Sequence, residues 1–171
     1  DMMAHDKTVD GVLLDIRGAP LWGQTWELRE AIERLKAAGK SVTARMVWGD
    51  MRSMYLASAA DRIYLHPAGG LMLNGLAVTH TYLAGLLGKL GVQAQFVKWS
   101  DYKSAPEALT QSGPSEASTE QTREMLNIFD RLWREAVGRG RKVDVAALDA
   151  VLASGPQTMT MAHTQKMIDR V

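Results

Sequence analysis

Short apolar, β-rich runs alternate with stretches of helical period along this chain, and that alternation narrows the fold more than any other feature. Gly11 to Ile16 (G-V-L-L-D-I) reads as a strand buried on both faces, as strands of parallel sheets are. A loop rich in glycine and proline, Gly18 to Gly23, leads to a helix that Thr25 can cap, with Glu27 favourable in its first turn. Trp26, Leu28, Ile32 and Leu35 carry the apolar side of that helix, and Gly39 suits the position just past its end. Ser41 to Trp48 is β-rich, Met51 to Ala60 reads as a short helix, and Arg62 to Leu65 as a third strand closed by His66-Pro67 and Gly69-Gly70. Leu71 to Val78 and Val92 to Trp99 read as further strands on either side of a helix, Thr79 to Leu90. The longest helix covers about Ser118 to Val137, with Met125, Ile128, Phe129, Leu132, Trp133 and Ala136 at helical spacing. Arg139 to Lys142 reads as a basic turn, and Val143 to Leu152 and Met159 to Ile168 as two closing helices. Strands and helices in this order predict an α/β domain with a largely parallel sheet.

Composition removes several classes of function. At 171 residues the chain suits a single domain, 1–171, large enough to bury a sizeable core. A formal net charge of +1 gives no electrostatic reason to expect nucleic acid or an anionic membrane as a partner. The absence of cysteine rules out disulfides, thiol catalysis and cysteine metal sites. No apolar run approaches the ~20 residues that span a bilayer. The chain opens on Asp1 and stops soon after Asp169-Arg170, which reads as a piece of a longer protein.

Pattern alone offers few chemical leads. There is no G-x-S-x-G elbow, P-loop, H-E-x-x-H or G-x-G-x-x-G. His5, His66, His80 and His163 lie far apart without ligand-like neighbours, which suits surface or structural roles. Asp15 ends the first strand, a common place for active-site carboxylates. Arg17 beside it offers a plain structural pairing instead.

Four blocks, taken in order, point further. Gly11-Val12-Leu13-Leu14-Asp15-Ile16 is followed by a helix ending Ala38-Gly39-Lys40 and a strand into Gly49-Asp50-Met51. Tyr55 to Tyr64 fits a Y-x-x-S/T-x-A-D/N-K/R-I pattern, Tyr102-Lys103-Ser104-Ala105 a Y-K-S-A block, and Lys166-Met167-Ile168-Asp169 a closing K-L-V-D. Together they cover nearly the whole chain and resemble the signal peptide peptidase A family of serine–lysine proteases. The resemblance implies a Clp protease/crotonase-like spiral of ββα units with a largely parallel sheet. It also implies that Lys103 is the general base of a Ser–Lys dyad, with no metal or organic cofactor.

A lysine base is chemically sound. In water a lysine is protonated at neutral pH and is a poor base. Burial in an apolar site favours the neutral amine, which can then take a proton from a serine hydroxyl attacking a carbonyl. The nucleophile is harder to find. Family members carry it in a segment like G-x-M-A-A-S-G-G-Y, whereas this chain reads Gly49-Asp50-Met51-Arg52-Ser53-Met54-Tyr55. An ungapped alignment puts Met51 where the serine belongs, and only deletions bring Ser53 there. The family's N-S-P-G-G oxyanion loop is replaced by Gly18-Ala19-Pro20-Leu21-Trp22-Gly23. An oxyanion donor is worth ~3 kcal/mol of barrier, so its loss would cripple an independent site.

Double-length family members explain this pattern. Their first copy of the domain supplies the lysine, and their second supplies the serine and oxyanion hole. The chain resembles that first copy, the N-terminal half of a two-domain protease. Implied partners are a peptide substrate (cleaved signal peptides), a second protease domain bearing the serine, and further copies in a homo-oligomer. The implied location is the bacterial cytoplasmic (inner) membrane, with the parent anchored there and the catalytic part on the extracytoplasmic side. The alternatives are a self-contained protease using Ser53 with Lys103, a non-catalytic scaffold or oligomerisation domain, and, more weakly, a coenzyme A enzyme of crotonase type.

Overall fold

Gly11–Ile16 forms β1, Ser41–Asp50 β2 and Arg62–Met72 β3, and the three pair in parallel in that order. The structure, a computed structural model, describes residues 2–170. A three-residue strand, β4 (Pro156–Thr158), closes the sheet antiparallel to Gly70–Met72. Eight helices accompany these strands among the described residues: α1 (Met2–His5), α2 (Trp22–Ala37), α3 (Met51–Ala57), α4 (Ala84–Lys89), α5 (Glu107–Thr110), α6 (Glu116–Arg141), α7 (Val145–Ala153) and α8 (Met159–Thr164). The α/β architecture with a largely parallel sheet is therefore as the alternation predicts.

The chain divides into two compact units. The first contains the sheet and runs to Gly75, resuming at Arg131; the second is Leu76–Asp130. Alternation along β2 builds the core of the first unit. Val42, Ala44 and Met46 point inward and are fully buried, as are Ile63 and Leu65 on β3. Trp133 from α6 completes this core and donates its indole N–H to the Met51 carbonyl at 2.8 Å. Burying one such large side chain contributes roughly 1.5–3 kcal/mol.

Several expectations are corrected. Among the described residues β1 is an edge strand with one neighbour, and Leu13 is 63% exposed, so it is not buried on both faces. Helix α2 begins at Trp22, three residues before the expected cap. Thr25 lies buried within its first turn and donates its hydroxyl to the Pro20 carbonyl at 3.1 Å. The buried stripe is Thr25, Arg29 and Ile32, leaving Trp26 and Leu28 exposed. Arg29 is satisfied there by the Tyr55 carbonyl, the Ser58 hydroxyl at 2.7 Å and Glu33 at 3.2 Å. Gly39 behaves as expected: with φ +80° it lets its own N–H reach the Lys36 carbonyl and the Lys40 N–H reach the Leu35 carbonyl.

Strand β3 does not stop at His66-Pro67. It bulges there, since Met46 pairs with Leu65 but Trp48 pairs with Gly70. A side chain at Gly69 would meet the Val47 carbonyl oxygen at 1.7 Å, so only glycine fits the bulge. Beyond Met72 the expected strand to Val78 ends, and the expected helix from Thr79 is confined to α4. Val92 to Trp99 forms no strand. No residue from Gln93 to Trp99 makes a backbone–backbone hydrogen bond among the described residues, because no neighbouring strand is present to pair with it. Helix α6 runs four residues beyond Val137 and absorbs most of the expected basic turn, stopping at Lys142 with φ 54°.

Candidate active site

Lys103 lies in the second unit, in a loop between two turns. Its N–H donates to the Ser100 carbonyl at 3.1 Å, and the Glu107 N–H donates to the Ser104 carbonyl at 2.9 Å. The lysine is exposed, and no hydrogen bond or ion pair engages its amine among the described residues. This unit does not supply the apolar burial that favours a neutral amine. Tyr102, its neighbour, donates its hydroxyl to Glu120 on α6 at 2.8 Å, which pushes the phenol above its usual titration range.

Glu107, at the start of α5, is buried at 2% exposure. Its carboxylate accepts the Ser115 hydroxyl at 2.7 Å and the Ser115 N–H at 3.1 Å, and Lys98 Nζ stands 3.9 Å away. The two Ser115 bonds, helped by Lys98, hold its carboxyl below the usual range despite burial. Ser115 also caps α6, accepting the Ser118 N–H on its hydroxyl at 3.1 Å. Sequence reasoning missed Glu107 and Ser115. Their only local signals are an acid in the first turn after Pro106 and a serine just before α6.

The other candidates lie elsewhere. Ser53 belongs to the first unit, in the opening turn of α3, at 2% exposure. Asp50 caps that turn by accepting the Ser53 N–H at 2.8 Å. Burial works against ionisation of Asp50, but the Ser53 N–H and hydroxyl and the Arg52 guanidinium outweigh it and keep the carboxyl below its usual range. Met51, where the serine would align, is buried with its carbonyl taken by Trp133. In the replaced oxyanion loop, the Pro20 carbonyl accepts from Thr25 and from Arg52, each at 3.1 Å. Asp15 pairs with Arg17 at 2.9 Å and Arg45 at 3.8 Å, the structural role its neighbours suggest. His66 accepts the Ala68 N–H, and His80 lies 3.4 Å from the Thr122 hydroxyl. No group of acids and histidines that could hold a metal ion exists among the described residues. No helix among them is long and apolar enough to cross a membrane.

Residues 34–171 match the sequence profile of Peptidase family S49. The chain belongs to this family. The S49 match spans Lys103, the α3 turn and the Lys166–Asp169 block together. Named relatives agree with it. The chain is 29% identical over 137 residues to the chloroplastic serine protease SPPA of Arabidopsis thaliana, covering 78% of this chain and 20% of that protein. It is 26% identical over 175 residues to Protease 4 of Salmonella typhi, covering 96% and 28%. It is 31% identical over 135 residues to Protease 4 of Haemophilus influenzae, covering 77% and 21%. The chain thus spans between 20% and 28% of the length of these S49 relatives. A solved enoyl-CoA hydrotase/isomerase family protein from Silicibacter pomeroyi covers 90% of this chain and 80% of its own at 15% identity, but a TM-score of 0.28 decides nothing.

Proposed function

We propose that this S49 chain supplies the lysine general base, Lys103, of a Ser–Lys peptidase whose serine and oxyanion hole come from another domain or subunit. One observation carries the reading: an exposed amine without an acidic partner among the described residues stands on the Y-K-S-A loop, while the α3 turn offers no exposed hydroxyl. An amine acts as a base only when neutral, and burial favours that form. Nothing in the second unit buries Lys103, so the completing domain or subunit must cover it. The relatives' names, a serine protease and two forms of Protease 4, support peptide-bond hydrolysis through an acyl-enzyme.

The substrates on this reading are cleaved signal peptides, and the assembled enzyme is a homo-oligomer of two-domain chains at the bacterial cytoplasmic membrane, working on its extracytoplasmic side. A self-contained Ser53–Lys103 protease is disfavoured by the burial of Ser53. A scaffold role draws support from the exposure of Val97 at 87% and Trp99 at 89%, apolar side chains suited to a partner.

The test is Lys103→Ala in the complete enzyme. Peptidase turnover is expected to fall about 1,000-fold with the fold unchanged, since a positioned base contributes 10²–10⁴. Lys103→Arg should fail equally, because a guanidinium stays charged. Near-normal turnover in either folded variant refutes the base role and leaves the scaffold.

A further inference from the structure

We infer that Glu107 is the positioning residue for Lys103: a buried carboxylate that clasps the loop bearing the amine and holds it in one geometry. The inference rests on the reading of Lys103 as a base. Acidic side chains are almost never fully buried unless paired. Glu107 is 2% exposed four residues past the lysine, on a single turn of helix, and it has two hydrogen-bond donors and one ion-pair partner. Both donors belong to Ser115, and the Lys98 ammonium is the ion-pair partner at 3.9 Å.

The positions of these partners give the clasp its effect. Lys98 precedes the loop and Glu107 follows it, so the carboxylate joins the two ends of residues 99–106 at their base. The turns at Ser100–Lys103 and Ser104–Glu107 shorten the intervening span. Ser115 is itself anchored. Its hydroxyl accepts the Ser118 N–H and its carbonyl the Thr119 N–H at 2.9 Å, so the loop is tied to the first turn of the 26-residue helix α6. Closing a loop at its base removes alternative conformations at a modest entropic cost. Displacing a reacting group by about 1 Å can cost 100-fold in rate, so the gain for a lone amine on a loop is large.

The same bonds give Glu107 and Glu120 partners other than the amine. A carboxylate close to a lysine favours the ammonium, the wrong form for a base. Glu107 is engaged by Ser115 and Lys98, and Glu120 by the Tyr102 hydroxyl. Both acids are bonded to partners other than Lys103.

The experiment compares variants of the complete enzyme in kcat, KM and the rate at which acetic anhydride labels Lys103, read by mass spectrometry against Lys89. Glu107→Ala is expected to lower kcat about 30-fold with KM within about threefold, and to change Lys103 labelling about threefold. Glu107→Gln keeps an acceptor for the Ser115 hydroxyl and should return kcat to within about fivefold of the parent. Parental kcat and labelling in folded Glu107→Ala overturn the inference. Should that variant fail to fold, Ser115→Ala removes the hydroxyl arm together with the Ser118 cap, and parental kcat and labelling there are equally fatal. Lys103→Ala is assayed alongside. An inactive Lys103→Ala beside a fully active Glu107→Ala refutes only the clasp. An active Lys103→Ala refutes the base role, and the labelling rates then judge the clasp by themselves.

Discussion

Asp169 fastens the C-terminal segment to β3. Its carboxylate accepts the Ile63 N–H at 2.8 Å and both terminal nitrogens of Arg141 at 2.8 and 3.0 Å. Burial opposes its ionisation, but Arg141 and the Ile63 N–H prevail and hold the carboxyl below its usual range. Asp169→Asn leaves the Arg141 side chain, 8% exposed, without its counter-charge and should cost about 2 kcal/mol in urea unfolding. The pH dependence has a definite sign. A carboxyl depressed in the folded state stabilises fully above its unfolded value, about pH 4, and loses that stabilisation as pH falls through the folded value. The parent should therefore lose stability on acidification below about pH 4, and Asp169→Asn should show a shallower acid limb. At this scale sequence served one partner and not the other. The Lys166–Asp169 block was recognisable, whereas Arg141 read as part of a basic turn, because its ion pair spans 28 positions that only folding brings together.

Helix α6 shows how an element's sequence can mislead about a single substitution. Glycine inside a helix ordinarily costs ~1 kcal/mol relative to alanine, so Gly→Ala is expected to stabilise. At Gly140 a Cβ would meet the Ser58 carbonyl oxygen at 2.0 Å, against backbone that Arg29 also holds through the Ser58 hydroxyl. Gly140→Ala should thus destabilise by about 2–3 kcal/mol by thermal melting, overriding its propensity gain. Gly88 in α4 has nothing within 4 Å of such a Cβ and serves as the comparison, where the same change should be neutral or stabilising. Elements with a full period were legible: β1 has the expected bounds, and α6 contains the expected helix whole. Those that depend on partners were not. Val92 to Trp99 alternates like a strand but has no neighbour to bond with, and β4 is three residues long without a pattern of its own. The His66–Gly69 turn signals read as an ending, because a bulge uses the same residues as a stop.

For the molecule as a whole, the parallel sheet was legible from alternation, and Lys103 only from the block around it. An exposed lysine carries no mark of its chemistry, and the Glu107–Ser115 pairing spans eight residues with no periodic signature. What the first unit withholds also fits the reading of a partial site: Ser53 is buried, and the loop from Gly18 to Gly23 spends its Pro20 carbonyl on Thr25 and Arg52.

The placement of the tryptophans gives the protein a built-in optical probe. Trp133 is fully enclosed in the first unit, while Trp99, four residues before Lys103, is 89% exposed. Indole emission moves to shorter wavelength when water is removed, so titrating the isolated chain with whatever closes over its amine should blue-shift the Trp99 component and leave Trp133 unmoved. Replacing Trp99 by phenylalanine should erase the change, and a titration curve read this way would follow assembly without any turnover at all.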